Sequence, residues 1–111
     1  EQLDVLVQVN TTGEEAKGGF SFTCAEDDVA ALLELDRLNV RGLMTMAPFT
    51  DDKKTIRTAF ARLRMLHERL AATSAYRGTE LSMGMTGDFE IAVEEGSTLV
   101  RVGTALFGER I

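Results

Sequence analysis

A single cysteine, Cys24, leaves the chain without an internal disulfide. That usage fits a reducing compartment. A single histidine, His67, excludes a His-rich metal site built from one chain. No apolar run approaches the ~18 residues of a transmembrane span. The start, Glu1-Gln2-Leu3-Asp4, carries neither a basic region nor a signal-peptide core. Basic charge is scarce as well. Twelve Lys and Arg stand against 18 Asp and Glu, a net charge of −6 over 111 residues. That balance argues against a general binder of nucleic acid or acidic membrane. The expectation is a cytoplasmic chain with no nucleic-acid and no membrane partner. The chain also lacks an initiator Met, so the expectation is a piece of something longer.

What is present is a regular alternation. Val5, Leu6, Val7 and Val9 form a β-rich run, followed by a Gly-rich polar stretch from Asn10 to Gly19 that reads as a long loop. Thr23 and Glu26 have the spacing of a capping box, so a helix should follow, with Glu26, Asp27 and Asp28 in its first turn. A second β-run, Val40 to Met46, is ended by Pro48, which cannot donate to a ladder. Thr50, Asp51 and Asp52 then offer caps for the longest helix, Asp52 to Ala72. Its apolar residues Ile56, Phe60, Leu63, Leu66 and Leu70 recur at steps of 4, 3, 3 and 4. A third run, Glu80 to Met85, precedes a short helix, Asp88 to Glu95, stopped by Gly96. A fourth run, Thr98 to Val102, leads through Gly103-Thr104 to a last turn.

The order is therefore β-α-β-α-β-α-β with parallel strands, in units of roughly 25 to 40 residues. Alternation of this kind means an α/β domain with right-handed crossovers. Two architectures satisfy it: a small open sheet covered by helices, or half of a (β/α)8 barrel, which as a whole takes ~250 residues. In both, function belongs at the C-terminal ends of the strands. Those ends are Asn10 to Lys17, Thr45 to Pro48, Met83 to Asp88 and Gly103 to Leu106.

Two of these ends carry phosphate-binding chemistry. In Ser82-Met83-Gly84-Met85-Thr86-Gly87-Asp88, two glycines let backbone amides approach a ligand, Thr86 offers a hydroxyl, and a helix start follows. Arg101-Val102-Gly103-Thr104 again brings a glycine and a hydroxyl to a strand end. Strand alternation puts Arg101 and Gly103 on one face. The alternative assigns the glycines to turns and the threonines to caps. Arg101 sits inside an apolar run, where a charge must be paired or face a polar cavity. It is either a ligand contact or a structural ion-pair partner. Lys17, beside Gly18 and Gly19, either reaches an anionic group or is a solvated loop lysine. Met44, Met46, Met83 and Met85 read as core or pocket lining, and His67 as a surface histidine on the polar side of the long helix. Cys24, at a helix start, has nothing around it in the sequence that makes it a nucleophile. The long helix holds six of the twelve basic residues, Lys53, Lys54, Arg57, Arg62, Arg64 and Arg69. They run round the helix with Asp51, Asp52 and Glu68 interleaved, which reads as a solvated outer face.

At this point the residues carry a resemblance. Leu81 to Glu90, then Ala92 and Gly96 to Gly108, resemble the signature of the pyridoxal-phosphate homeostasis proteins. These are the YggS/PROSC-type relatives of the alanine racemase N-terminal barrel. Val7 to Glu14 with Lys17-Gly18-Gly19, and Arg41 to Met46, match the same family in the same order. Thr86 stands where many relatives carry serine, and the hydroxyl is kept.

The resemblance implies that residues 1–111 are the C-terminal half of a (β/α)8 TIM barrel, strands five to eight, that binds pyridoxal 5′-phosphate (PLP). It implies a phosphate seated against Ser82, Met83, Thr86, Gly103 and Thr104, with Arg101 facing the pyridine nitrogen. A cationic arginine there keeps that nitrogen unprotonated and weakens the ring as an electron sink, which suits a cofactor carrier without a metabolic reaction. Lys17 resembles a secondary lysine of the family. The family's Schiff-base lysine lies on the first barrel strand, and Lys17, Lys53 and Lys54, the only lysines here, do not match it. The resemblance leaves an alternative, a fragment of a PLP-dependent amino-acid racemase-like enzyme. Four barrel strands leave open edges and an uncovered apolar face. The expected partners are PLP or phosphate, and the missing N-terminal half-barrel or a second copy of the chain.

Overall fold

A computed structural model describes residues 2–13, 18–48, 50–85 and 87–101, the last two of these in their main chain alone. Its elements run β1 (Leu3–Asn10), β2 (Phe20–Ser21), α1 (Ala25–Leu32), β3 (Leu38–Met44), α2 (Lys53–Thr73), β4 (Glu80–Met85), α3 (Phe89–Glu94) and β5 (Leu99–Arg101). The strands form one parallel sheet in the order β2-β1-β3-β4-β5. From β1 to β5 the order in the sheet follows the order in the chain.

The longest helix forms where the apolar period places it. Asp52 caps α2, accepting from the Lys54 amide at 3.2 Å and from the Thr55 hydroxyl at 2.6 Å. The Thr55 hydroxyl first, and then the Lys54 amide, hold the Asp52 carboxyl below its ordinary value. Ile56, Phe60, Leu63, Leu66 and Leu70 are all buried. Fully burying side chains of this size stabilises by roughly 1.5–3 kcal/mol each before entropy is counted.

They pack on one face of the sheet. Val7 and Val9 of β1, Val40 and Leu43 of β3, and Leu81 and Met83 of β4 join Val29 of α1, Ala92 of α3 and the α2 stripe in a single core. Register assigns the other face to Leu6, Gln8, Gly42, Met44, Glu80, Ser82 and Leu99. Leu6 and Leu99 are exposed there, and no described helix lies over them. The helices thus cover one side of a singly wound sheet.

Three local expectations change. Between β1 and α1 the chain adds a short edge strand, pairing Phe20 with Val9 and Ser21 with Asn10. Phe20 packs against the core, and that apolar anchor draws the chain alongside β1. The capping box at Thr23 and Glu26 does not form. Cys24 is the N-cap, with no side-chain hydrogen bond to the helix. The Thr23 hydroxyl pairs with Ser21 at 3.0 Å, and Glu26 accepts from Arg69 at 2.7 Å. Finally, His67 is no free surface histidine, because its Nδ1 lies 2.8 Å from the buried Tyr76 hydroxyl.

Glycine matters most at Gly42. A Cβ there would sit 1.9 Å from the Glu80 carbonyl oxygen, so the close approach of β3 and β4 depends on its absence. A shift of register in β1/β3 just before this point leaves Arg41 without a partner across the ladder. Asp4 holds that bulge, accepting from Asn39 at 2.9 Å and from Arg41 at 3.3 Å.

Candidate functional site at the C-terminal strand ends

Because the strands are parallel, the ends of β1, β3, β4 and β5 share one edge of the sheet. The segments 10–13, 45–48 and 85–88 therefore converge, Thr86 apart. Of the residues expected to hold a phosphate, Ser82 and Met83 lie on β4 with their side chains on opposite faces. Ser82 is half-buried on the helix-free face, and its hydroxyl has no hydrogen-bond partner among the described residues. Met83 is buried in the core, so any contact it makes with a ligand runs through its main chain. Arg101 closes β5 opposite Met85 in the register, and its side chain lies outside the description. Lys17, Thr86, Gly103 and Thr104 lie outside the described residues altogether.

The β4 end is shaped by a bulge. Two residues, Met83 and Gly84, separate the β4 positions that pair with Leu99 and Arg101, whereas one residue separates those partners. Gly84 takes φ +105°, a conformation that L side chains rarely adopt. Past the bulge the chain turns back on itself. The Met85 amide donates to the Asp88 carboxylate at 2.7 Å, and the Asp88 amide donates to the Met85 carbonyl at 3.0 Å. This reciprocal pair ties the end of β4 to the start of α3. Asp88 is spent on the turn and makes no side-chain cap on α3.

On the β5 side, Ser97 and Thr98 tie the strands together. The Ser97 hydroxyl lies 2.7 Å from the Met83 carbonyl and 3.1 Å from that of Leu81. The Thr98 hydroxyl donates to Glu80 at 2.7 Å and accepts from the Leu81 amide at 2.9 Å. At the C-terminal end of β1, Asn10 Oδ1 accepts from the amides of Thr12 and Gly13, each at 3.1 Å. Thr11 and Thr45 face each other below it, hydroxyl to hydroxyl at 3.0 Å. The Asn10 contacts are local, whereas those of Ser97, Thr98, Thr11 and Thr45 depend on which strands become neighbours and were not visible in local spacing.

A cleft of about 350 Å³ opens between the β3–α2 and β4–α3 connections. Met46, Pro48, Asp51, Lys53, Met85 and Asp88 are among its lining residues. Met46 and Met85 line that cleft as expected of pocket methionines. Three of the six basic residues of α2 are paired with carboxylates. Arg57 pairs with Glu94 and Glu95, Arg64 with Glu68 and Glu95, and Arg69 with Glu26. The Glu94 carboxylate first, and then that of Glu95, raise the Arg57 pKa further. Arg62, though exposed, donates to the Thr11 carbonyl at 2.9 Å. Among the described residues, no group of His, Cys, Asp and Glu is placed to hold a metal ion, and no helix is long and apolar enough to cross a membrane.

Comparison with known proteins places this geometry. Residues 1–111 match the family described as alanine racemase, N-terminal domain. A pyridoxal phosphate homeostasis protein of Aquifex aeolicus is 45% identical over 107 residues, covering 96% of this chain and 47% of that protein. A protein of the same name from Vibrio cholerae is 45% identical over 112 residues, covering 97% and 45%. The solved structure of PipY from Synechococcus elongatus without PLP superposes with a TM-score of 0.87 at 34% identity, covering 96% of this chain and 50% of that one. The PLP-bound form gives 0.80 at 33%, covering 95% and 49%. The chain spans about half the length of the curated relatives it matches.

Proposed function

From the premise that this chain belongs to the alanine racemase N-terminal domain family, we propose that it is the C-terminal half of a (β/α)8 barrel that binds PLP. Its strands β1, β3, β4 and β5 would be the fifth to the eighth, and residues 1–111 one part of a single domain. The observation that carries this is the PLP-bound relative, whose fold this chain matches over nearly its whole length. The chain-order strands with helices on one side support the barrel, since a doubly wound sheet places helices on both.

The described residues fit a phosphate-bearing ligand. The Ser82 hydroxyl is half-buried, unpartnered among them and directed to the helix-free side. Gly84 opens the β4 end, and the Met85–Asp88 pair holds the turn beyond it. In this reading Ser82, the Met83 main chain and Thr86 form one wall of a phosphate cup, and Gly103 and Thr104 the other. Arg101 would face the ring nitrogen, and Lys17 would be the family's secondary lysine near the site. PLP supplies an aldehyde and an electron-withdrawing ring. The lysine that would anchor it belongs to the first strand of the barrel, which this chain does not contribute. The whole protein then carries and buffers the cofactor without a metabolic reaction.

The uncovered sheet face, with Leu6 and Leu99 exposed, is assigned to the preceding half-barrel. Titration of the chain joined to that half tests the cup. Saturable PLP binding, competed by phosphate and weakened in Arg101→Ala and Thr104→Ala, is the expected result. Unchanged affinity in both variants overturns the cup, and no binding overturns the function. Racemisation of alanine by the joined protein would favour the enzyme instead. For the chain alone, a single 12.1 kDa species in solution would count against self-association, and a dimer against the assignment of that face to the preceding half.

A further inference from the structure

Thr11 and Thr45 are buried, each 1% exposed. They sit at the ends of neighbouring strands, 34 positions apart in the chain, with their hydroxyls 3.0 Å apart. The direction of the pair is determined. The Thr45 hydroxyl lies 2.6 Å from the Val9 carbonyl, which can only accept, so its one hydrogen points there. In the Thr11–Thr45 pair, Thr11 must then be the donor. The chain of bonds runs from the Thr11 hydroxyl to the Thr45 hydroxyl to the Val9 carbonyl.

The same two residues bind outward through their main chains. The Thr45 amide donates to the Ser82 carbonyl at 3.1 Å, and the Thr11 carbonyl accepts from Arg62 at 2.9 Å. One network therefore joins the C-terminal ends of β1 and β3 to Ser82 of β4 and to α2. Packing does not require it. Valine has the shape of threonine, and a buried hydrogen-bonded pair replaced by apolar groups of like shape costs little. What the hydroxyls add is direction: they are satisfied in one relative placement of the strand ends and lose partners in others.

We propose that Thr11 and Thr45 are positioning residues, whose directed hydroxyl pair locks the ends of β1, β3 and β4 in the placement that receives the phosphate-bearing ligand. The ligand half of this statement rests on the function proposed above.

Hydrogen exchange read by mass spectrometry, with PLP titration alongside, tests both halves in the chain joined to its preceding half-barrel. In Thr45→Val, exchange should quicken together in segments 10–13, 45–48 and 82–85, and PLP affinity should fall by roughly two- to tenfold. Thr45→Ser keeps the hydroxyl and should restore both, although it is the smaller side chain. A packing role predicts the reverse, with valine tolerated and serine not. Thr11→Val removes one bond of the chain and leaves the Thr45–Val9 bond in place, so it should give the same pattern at smaller amplitude. Quickening confined to segment 45–48, no change in either valine variant, or loss of the fold in both would overturn the proposal. If the unsubstituted protein binds no PLP, the function falls while the exchange pattern still decides the lock.

Discussion

The Tyr76 hydroxyl lies 2.8 Å from Nδ1 of His67, and the two rings meet edge to face with centroids 5.3 Å apart. The contact joins α2 to the segment leading into β4, at the end of the sheet opposite the candidate site. Burial is the main cause of a lowered His67 pKa, with Glu68 acting weakly in the other direction. The folded state therefore favours the neutral ring. Its contribution is complete above the unfolded value near 6.5 and is lost as pH falls through the lowered folded value. The melting temperature should drop more between neutral and mildly acidic pH in the parent chain than in His67→Gln. Equal slopes in the two would remove His67 from the account.

Tyr76 reports on the same contact from the other side. Its pKa is pushed up to about 12 by burial. It is the only tyrosine and the chain has no tryptophan, so near-ultraviolet absorbance reads it alone. No phenolate band should appear through pH 10 while the fold persists. Tyr76→Phe keeps the ring, loses the hydroxyl contact, and should cost about 0.5–1.5 kcal/mol in urea unfolding. Titration near the ordinary value in a folded sample would show that the ring is not held as described.

Gly42 and Gly87 should behave as opposites. The Cβ of Gly42→Ala would meet the Glu80 carbonyl at 1.9 Å, which forces β3 and β4 apart. A loss of at least about 2 kcal/mol is expected. A Cβ at Gly87 meets nothing within 4 Å, and Gly87→Ala should fall within about 0.5 kcal/mol of the parent. Equilibrium unfolding of the two variants side by side is the check. A tolerated alanine at 42 contradicts the strand spacing.

Phe60, fully buried on α2, is the core probe. Phe60→Ala should destabilise by about 3–5 kcal/mol. A much smaller loss would mean that the sheet and helices close over the space it leaves.

The turn after β4 gives a binding prediction. Asp88→Ala removes the acceptor for the Met85 amide and loosens the link between the end of β4 and α3. PLP affinity of the joined barrel should fall by roughly two- to tenfold, while Asp88→Asn, which keeps an acceptor oxygen, should come close to the parent. Equal loss in both variants would assign the effect to the charge of Asp88.

Local pattern by itself determined the three helices and the strands β1, β3, β4 and β5. The α2 stripe from Ile56 to Leu70 is legible because side chains three or four residues apart share a helix face whatever lies beyond it. Asp52 and Gly96 were legible as the ends of α2 and α3 because capping is decided within a few residues. Motif order carried the family. The tertiary structure alone decided that the sheet is singly wound, that β2 exists, and that Glu26 answers Arg69 instead of Thr23. It alone brought His67 to Tyr76 and Thr11 to Thr45. Each of these depends on strand order and register. Those are settled by burying one face of every strand against the same helices, and no window of neighbouring residues contains that condition.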